Sequence, residues 1–181
     1  MEIATDRLLL REFVLDDWPE LFAYQNDRRY LDIIGREPQS EDSCRAMVEV
    51  FVSNATARPR RKFQLAATLA TSGELIGNCG IRRNDRNDWD AEIGYEFKAD
   101  HWRNGYATEA ASAVLAFGFQ DLRLHRTSAQ CNAGNTGSIR VLETIGMRVE
   151  GRVRDGDFQK GRWWDMLHWG ILESEWRGSR R

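Results

Sequence analysis

A short segment of small residues at the start of a predicted helix carries the first chemistry that this sequence suggests. Residues 103–108 read RNGYAT and stand where the helix begins, so backbone N–H groups there face outward without bulky side chains. A helix N-terminus combines free N–H donors with the positive end of a dipole, and it therefore favours anions such as a pyrophosphate. The alternative is that Gly105 only turns the chain and Ala107 packs in the core. This segment alone does not decide between the two.

Other phosphate-binding motifs are absent from the sequence. It contains neither the GxxxxGK[ST] pattern of a Walker loop nor the GxGxxG pattern of dinucleotide-binding proteins. ATP and NAD are therefore disfavoured as ligands.

The strand predicted just before this helix has an acidic face. Its sequence, AEIGYEF, covers residues 91–97 and alternates, so Ile93 and Phe97 point one way while Glu92 and Glu96 point the other. Carboxylates in such a place are suited to proton transfer. The alternative is that both carboxylates pair with arginines.

The elements that would position these residues mix strands with helices. Helices are predicted to begin near Asp17, at Ser40, at the Gly105 segment and at Asn135, where Gly146 is a natural terminator. The helix after Ser40 should bury Ala46, Met47, Val50, Phe51 and Ala55. Strands are predicted at residues 7–13, 63–70, 75–81, 91–97, 126–131, 147–154 and 163–172, with a turn region GDFQKGR between the last two. We expect one domain over residues 1–176 and a loose tail over residues 177–181.

The composition is that of an ordinary globular protein. Hydrophobic residues make up 41% and charged residues 30%, and the net charge of −2 gives no general attraction to nucleic acid or to an anionic membrane. No apolar run approaches the roughly 18 residues that span a bilayer, and no signal peptide is evident. Cys44, Cys79 and Cys131 are far apart, which indicates reduced core cysteines without structural zinc. We therefore expect a cytoplasmic protein without metal, nucleic-acid or membrane partners.

Two motifs of the chain resemble a known family. Residues 102–107, WRNGYA, resemble motif A of the GNAT family of acyl-CoA-dependent N-acetyltransferases, [Q/R]-x-x-G-x-[G/A], with Trp102 in the first position. An aromatic residue followed by GYATEA is similar to the RimJ/RimL-type branch, which acetylates ribosomal-protein N-termini. Residues 135–147, NTGSIRVLETIGM, resemble that branch's N-x-x-S-I-x-V-L-E-x-x-G-[FM]. The N-terminal and C-terminal segments are similar as well, so the resemblance covers nearly the whole chain.

The resemblance implies the fold and the cofactor. The fold would be α+β, a GNAT fold with a central, mostly antiparallel, twisted sheet of about seven strands, flanking helices and a splay between the fourth and fifth strands. Acetyl-CoA would lie in that splay as the co-substrate. The Phe97 backbone would hold its acetyl and pantetheine amides, Asn135 would hydrogen-bond the pantetheine arm, and Ser138 would lie beside the thioester sulfur. The other cofactor-binding residues implied are Trp102, Arg103, Asn104, Gly105, Tyr106, Ala107 and Thr108.

The resemblance also implies a reaction. An amine would attack the thioester directly in a ternary complex, which needs a proton acceptor, a donor to the oxyanion and a proton for the thiolate. We rank Glu92 first as the acceptor, with Glu96 or water as alternatives, and the Phe97 N–H would face the oxyanion. Many family members carry a Tyr seven positions after the motif Asn, where this chain has Leu142. Ser138 is therefore the nearest proton donor, unless the thiolate leaves unaided.

The acceptor amine is the least determined part of the hypothesis. The resemblance is compatible with a protein N-terminus or with a small amine, including a polyamine or an aminoglycoside, and with a homodimer. Trp89, Trp163 and Trp164 would wall the acceptor cleft, although tryptophans such as Trp163, Trp169 and Trp176 are equally suited to the core. The alternative function is a non-catalytic acyl-CoA sensor.

Overall fold

Eight strands and six helices make up residues 1–178, the part of the chain that the computed structural model describes. The strands are β1 (Glu2–Ala4), β2 (Leu8–Glu12), β3 (Lys62–Leu69), β4 (Leu75–Arg83), β5 (Asp90–Phe97), β6 (Arg126–Asn132), β7 (Arg148–Gln159) and β8 (Arg162–Leu172). The helices are α1 (Trp18–Gln25), α2 (Arg28–Ile34), α3 (Glu41–Thr56), α4 (Tyr106–Gln120), α5 (Thr136–Thr144) and α6 (Glu173–Gly178). Short 3-10 turns cover Leu15–Asp17 and Ala99–His101.

All eight strands belong to one sheet. Their order is β1-β2-β3-β4-β5-β6-β8-β7, and every neighbouring pair is antiparallel except β5 with β6. This confirms the mixed, mostly antiparallel sheet expected from the sequence. The additional strand is β1, which is too short, at three residues, to show an alternating pattern.

The sheet opens in its middle. β5 pairs with β6 only through Asp90, Ala91 and Glu92, which face residues 126–128. Beyond that point β5 continues along β4 as far as Phe97, and β6 continues along β8 as far as Asn132. Residues 93–97 of β5 and 129–132 of β6 therefore diverge, and we call the space between them the splayed gap. The splay expected between the fourth and fifth predicted strands is confirmed.

Helices cover both faces of the sheet. On one face, the α4 face, a large apolar core joins α4 and α5 to the sheet and includes Ile81, Ile93 and Leu115. On the other, the α1 face, a smaller core joins α1 and α3 to the sheet and includes Leu21 and Val48. Alternation along each strand sends successive side chains to these two different environments.

The buried side of α3 agrees only in part with the predicted one, since Met47 and Phe51 pack against the core of the α1 face as expected. Cys44 and Val48 are fully buried, whereas Val50 is 55% exposed and Ala46 is exposed as well. Apolar residues occur on two neighbouring stripes of this helix, and packing against α1 and β3 selects the stripe through Cys44 and Val48.

The local signals for helix ends are largely confirmed. The Ser40 hydroxyl accepts the Ser43 N–H at 3.1 Å, and Gly146 follows α5 with a φ of +87°. Helix α2, with Asp27 as its N-cap, was not anticipated. At the C-terminal end, β7 continues through most of the segment expected as a turn, and the chain reverses at residues 160–161.

The end of the chain also departs from expectation. Arg177 and Gly178, placed in the loose tail by the sequence, form the last residues of α6. Residues 179–181 of that tail lie outside the described residues.

The three cysteines are free and buried. Burial raises the pKa of each thiol, and that of Cys79 rises to about 12. They are core residues, as expected, and their thiols stay protonated at neutral pH. Within residues 1–178, no cluster of three or more His, Cys, Asp or Glu could hold a metal ion, and no helix is long and apolar enough to span a membrane.

Candidate active site

The N-terminus of α4 is uncapped. Gly105 precedes the helix with a φ of +80°, no side chain caps it, and the first helical hydrogen bond runs from the Glu109 N–H to the Gly105 carbonyl at 3.0 Å. The N–H groups of residues 106–108 therefore have no partner within the helix. A Cβ atom at Gly105 would meet a single neighbour, the Arg7 guanidinium at 3.4 Å, so the space before these donors is open. This is the geometry that the anion-binding hypothesis needs.

An ion pair anchors this entrance to the start of the chain. The Arg7 Nε donates to Glu109 Oε2 at 2.7 Å, and Arg7 Nη1 donates to the Asn104 carbonyl at 2.9 Å. Glu109 also accepts the Thr5 hydroxyl at 2.7 Å and the Arg7 N–H at 2.8 Å. Burial opposes its charge, but the bonds from Thr5 and Arg7 outweigh this and lower the pKa of Glu109. We call this arrangement the Arg7–Glu109 clamp.

Loss of the clamp is expected to weaken binding of acetyl-CoA, the co-substrate that the sequence resemblance implies. In Arg7→Ala the Asn104 carbonyl loses its hydrogen-bond donor, and the segment before α4 is no longer bound to the start of the chain. The dissociation constant for acetyl-CoA should therefore rise about 10-fold, equivalent to ~1.4 kcal/mol. Calorimetric titration measures this. Arg152→Ala, which removes an ion pair with Asp165 on the β7–β8 hairpin, is the control and should leave the constant unchanged. Equal constants for both variants would show that the clamp does not hold the entrance.

One of the two backbone hydrogen-bonding groups of Phe97, at the end of β5, is already paired within the chain. The Lys98 N–H donates to the Ile76 carbonyl at 2.8 Å, so by the alternation of an antiparallel ladder the N–H and C=O of Phe97 point away from β4, toward the splayed gap. The Trp102 indole N–H donates to the Phe97 carbonyl at 2.7 Å. The Phe97 N–H is therefore the group of this residue that has no partner in the described structure. Trp102 fastens the loop after β5 to the end of the strand.

The start of α5 lies across the gap from β5. Asn135 caps this helix, because its Oδ1 accepts the Ser138 N–H at 2.9 Å, which leaves its amide Nδ2 as the group free to meet a ligand. The Tyr95 hydroxyl donates to the Ser138 carbonyl at 3.2 Å and so links β5 to α5. The Ser138 hydroxyl has no hydrogen-bond partner in the described part of the chain.

Tyr95 was missed as a site residue. Its alternation with Ile93 and Phe97 marks it as a core residue, and nothing in the sequence indicates that its hydroxyl reaches α5. Burial raises the pKa of Tyr95, which therefore remains a protonated donor at neutral pH.

The two carboxylates of β5 have different surroundings. Glu92 is exposed and, within residues 1–178, forms no hydrogen bond or ion pair through its side chain. Glu96 is half-buried on the α1 face and accepts four hydrogen bonds. They come from Tyr24 Oη (3.0 Å), Gln25 Nε2 (2.8 Å), Asn78 Nδ2 (2.6 Å) and the Tyr30 hydroxyl. Pairing of these carboxylates with arginines, the alternative raised by the sequence, is wrong for both in the described chain.

The tyrosines that hold Glu96 are protonated. Burial, together with the charge of Glu96, raises the pKa of Tyr24 and of Tyr30, so each hydroxyl is a donor at neutral pH. Glu96 is thus fixed among donors, and Glu92 is the carboxylate that is free to accept a proton.

A chain of side-chain hydrogen bonds leads from Glu96 to Arg82 across the α1 face. Asn78 donates to Glu96, the Gln64 amide donates to Asn78 Oδ1 at 2.6 Å, and Arg82 Nη1 donates to Gln64 Oε1 at 3.1 Å. Below these side chains, Gly80 of β4 and Gly94 of β5 are cross-strand partners. A Cβ at Gly94 would come within 2.7 Å of Arg82 Nη2, and one at Gly80 would overlap Gln64. We call Arg82, Gln64, Asn78 and Glu96 the Arg82–Glu96 network, for which the two glycines leave room.

The tryptophans expected around the cleft occupy three kinds of position. Trp89 and Trp163 are exposed, and Trp163 stacks on Phe158 at the end of the β7–β8 hairpin. Trp164 lies against Gly35 after α2 and against Gly134 before α5, which places it beside the splayed gap. Trp169 and Trp176 are core residues, whereas the core hypothesis is wrong for Trp163.

Comparison with known proteins agrees with this geometry. A family model described as an acetyltransferase (GNAT) domain matches residues 7–148. The uncharacterized N-acetyltransferase YnaD of Bacillus subtilis (strain 168) is 35% identical over 176 residues, covering 97% of this chain and 99% of YnaD. A GNAT-family acetyltransferase from Bacillus anthracis superimposes with a TM-score of 0.84 at 32% identity, covering 97% of this chain and 100% of that one. A spermidine N-acetyltransferase from Vibrio cholerae, in complex with CoA and spermine, has the same fold, with a TM-score of 0.80 at 21% identity over 96% and 99% of the two chains.

An open sheet with an uncapped helix at its mouth, together with these matches, defines an N-acetyltransferase. The chain belongs to the GNAT family.

Proposed function

We propose that this enzyme transfers the acetyl group of acetyl-CoA to a primary amine by direct attack in a ternary complex. The observation that carries the proposal is the uncapped N-terminus of α4 beside the splayed gap. Unpaired N–H groups at a helix N-terminus suit a pyrophosphate, and an unpaired strand edge suits the amides of a pantetheine arm. The CoA found in the Vibrio cholerae enzyme of the same fold supports this choice of co-substrate.

The residues around the gap fit such a cofactor. Residues 103–108 would hold the pyrophosphate through their N–H groups, with Trp102 bracing the loop before them. The Asn135 Nδ2 would bind the pantetheine arm, and the Phe97 N–H would face the thioester carbonyl from the other side of the gap. Acetyl-CoA, when bound, supplies the thioester.

The same residues can serve the steps of acetyl transfer. The Phe97 N–H donates to the oxyanion, as a preorganised backbone donor. Glu92 accepts the proton of the ammonium, and because it lies five residues from Phe97, about 17 Å along an extended strand, the proton travels through water. The Ser138 hydroxyl donates to the leaving thiolate, and the link from Tyr95 holds the end of α5 in place.

The acceptor is a protein N-terminus or a small amine. The resemblance to the enzymes that acetylate ribosomal proteins favours a protein N-terminus, and the open α1 face beside Glu92 is accessible to either.

Release of CoA from acetyl-CoA in the presence of amines tests the proposal. Turnover with at least one amine is expected, with acetyl-CoA bound selectively over ATP and NAD. Tight binding without turnover would favour the sensor, and lack of binding by the folded protein would contradict both functions.

Glu92→Gln is expected to lower kcat about 100-fold at neutral pH, because the ammonium proton loses its acceptor. The dissociation constant for acetyl-CoA should stay within about 2-fold of the wild-type value, since Glu92 lies on the paired part of β5. Glu49→Gln, an exposed acid on α3, is the matched control. Undiminished kcat across the pH range would remove Glu92 as the base.

A further inference from the structure

Arg82 is a half-buried cation without an anionic partner. Six arginines in residues 1–178 are half-buried, and Arg82 is the one whose guanidinium has no carboxylate within 4.0 Å. The other five, each in an ion pair, are Arg11, Arg60, Arg61, Arg83 and Arg126. Withdrawing a charge from water without a partner is unfavourable, so this position suits an anion that comes from outside the chain.

The guanidinium lies over β5 about 10 Å, three residues of an extended strand, from the proposed oxyanion donor at Phe97. Arg82 is on the α1 face of β4 and reaches over Gly94 of β5, where its Nη2 occupies the space that a side chain would take. Gly94 is itself one of the residues 93–97 that border the splayed gap. Its one side-chain hydrogen bond in the described structure goes from Nη1 to Gln64, which leaves further N–H donors for a ligand.

Two carboxylates face this guanidinium, and neither neutralises it by contact. Glu92 is its cross-strand partner, with Cβ atoms about 5 Å apart in such a pair, yet their charged atoms are more than 4.0 Å apart. Glu96 is reached only through Gln64 and Asn78 and is already held by four donors. Arg82 thus keeps a positive charge and N–H donors that no carboxylate of the described residues contacts.

We propose that Arg82 binds the carboxylate of the acceptor, and that the acceptors are amines with a carboxylate near the amine, such as amino acids. This rests on the proposed acetyl transfer and narrows its acceptor to a small amine that carries a carboxylate, in place of a protein N-terminus. The carboxylate lies over Gly94 in the fork of the guanidinium, and the amine extends from it along β5 toward Phe97, from where its proton reaches Glu92 through water. Polyamines and aminoglycosides have no group for Arg82 and carry additional positive charge.

Acceptors that differ only in the carboxylate test the proposal. With saturating acetyl-CoA, kcat/KM is compared for phenylalanine and phenylethylamine, alanine and ethylamine, and lysine and 1,5-diaminopentane. The member with the carboxylate should be preferred, and Arg82→Ala should reduce the preference by about 10- to 100-fold, the value of a charge-assisted hydrogen-bonded pair. Arg83→Ala, at the neighbouring position on the α4 face, is the matched control and should leave the preference intact.

A second variant keeps the proposal testable if Arg82→Ala does not fold. Gly94→Ala keeps the charge of Arg82 but places a methyl group within 2.7 Å of Nη2, so the guanidinium must move and the preference should fall as well. Thermal melting of each variant verifies that it is folded.

The outcomes separate this inference from the proposed function. Equal or better use of the decarboxylated amines, or of spermidine, would overturn the carboxylate proposal while leaving acetyl transfer intact. An unchanged preference in folded Arg82→Ala would overturn it as well. If acetyl-CoA binds but no acceptor of the panel reacts, calorimetry of the CoA-bound protein with the same amino acids decides, and absence of binding rejects the proposal. Failure to bind acetyl-CoA at all would reject the proposed function itself.

Discussion

Gly105→Glu is expected to abolish acetyl-CoA binding in a protein that remains folded. The substitution places a carboxylate in front of the unpaired N–H groups of residues 106–108, where it would occupy the anion site and repel a pyrophosphate. We expect the dissociation constant, measured by calorimetric titration, to rise at least 100-fold, equivalent to ~2.7 kcal/mol.

Gly73→Glu is a matched control for the backbone strain. Gly73 lies in the turn between β3 and β4 with a φ of +74°, close to the +80° of Gly105, and its Cβ would have no neighbour within 4 Å. Both variants pay a similar cost of about 1–2 kcal/mol for a side chain at positive φ. If the two lowered affinity equally, the entrance would be a turn and not an anion site.

Glu96→Ala is expected to be the most destabilising single change at the candidate site. It leaves the Tyr24 and Tyr30 hydroxyls, both buried, without their acceptor, and the Asn78 amide keeps only its bond to Tyr24. Unpaired buried donors cost about 1–3 kcal/mol each, and partial entry of water moderates the sum, so we expect a loss of about 3 kcal/mol in the free energy of unfolding. Urea denaturation measures it.

Glu92→Ala provides the comparison on the same strand. Glu92 is exposed and has no side-chain partner in the described residues, so its removal should change the free energy of unfolding by less than about 0.5 kcal/mol. Similar losses in the two variants would show that the hydrogen bonds to Glu96 do not stabilise the fold.

Features encoded by neighbouring residues could be predicted from the sequence. The Ser40 cap, the bare entrance at Gly105 and the end of α5 at Gly146 each depend on the residues immediately around them. The acidic face of β5 follows from its alternation, because in a strand the period of two is fixed by the backbone.

Features that depend on distant residues could not be predicted. The donors to Glu96 come from α1, α2 and β4, up to 72 positions away, and periodicity gives no sign that they meet. Gly80 and Gly94 could be read as weak points of their strands, but their role is to make room for Gln64 and Arg82. The buried stripe of α3 was likewise selected by packing, since the helix carries two apolar stripes.

The splayed gap also divides the sheet into two parts. Strands β1–β5 form one plate and β6–β8 another, and the sheet connection between the plates consists of three residue pairs at one end of the gap, supplemented by α4, α5 and the Tyr95–Ser138 link. A ligand that bridges the gap would add contacts between the two plates where the sheet itself has none. A ligand that binds only the native state raises its stability by mass action. The melting temperature of this protein should therefore rise as a ligand occupies the gap.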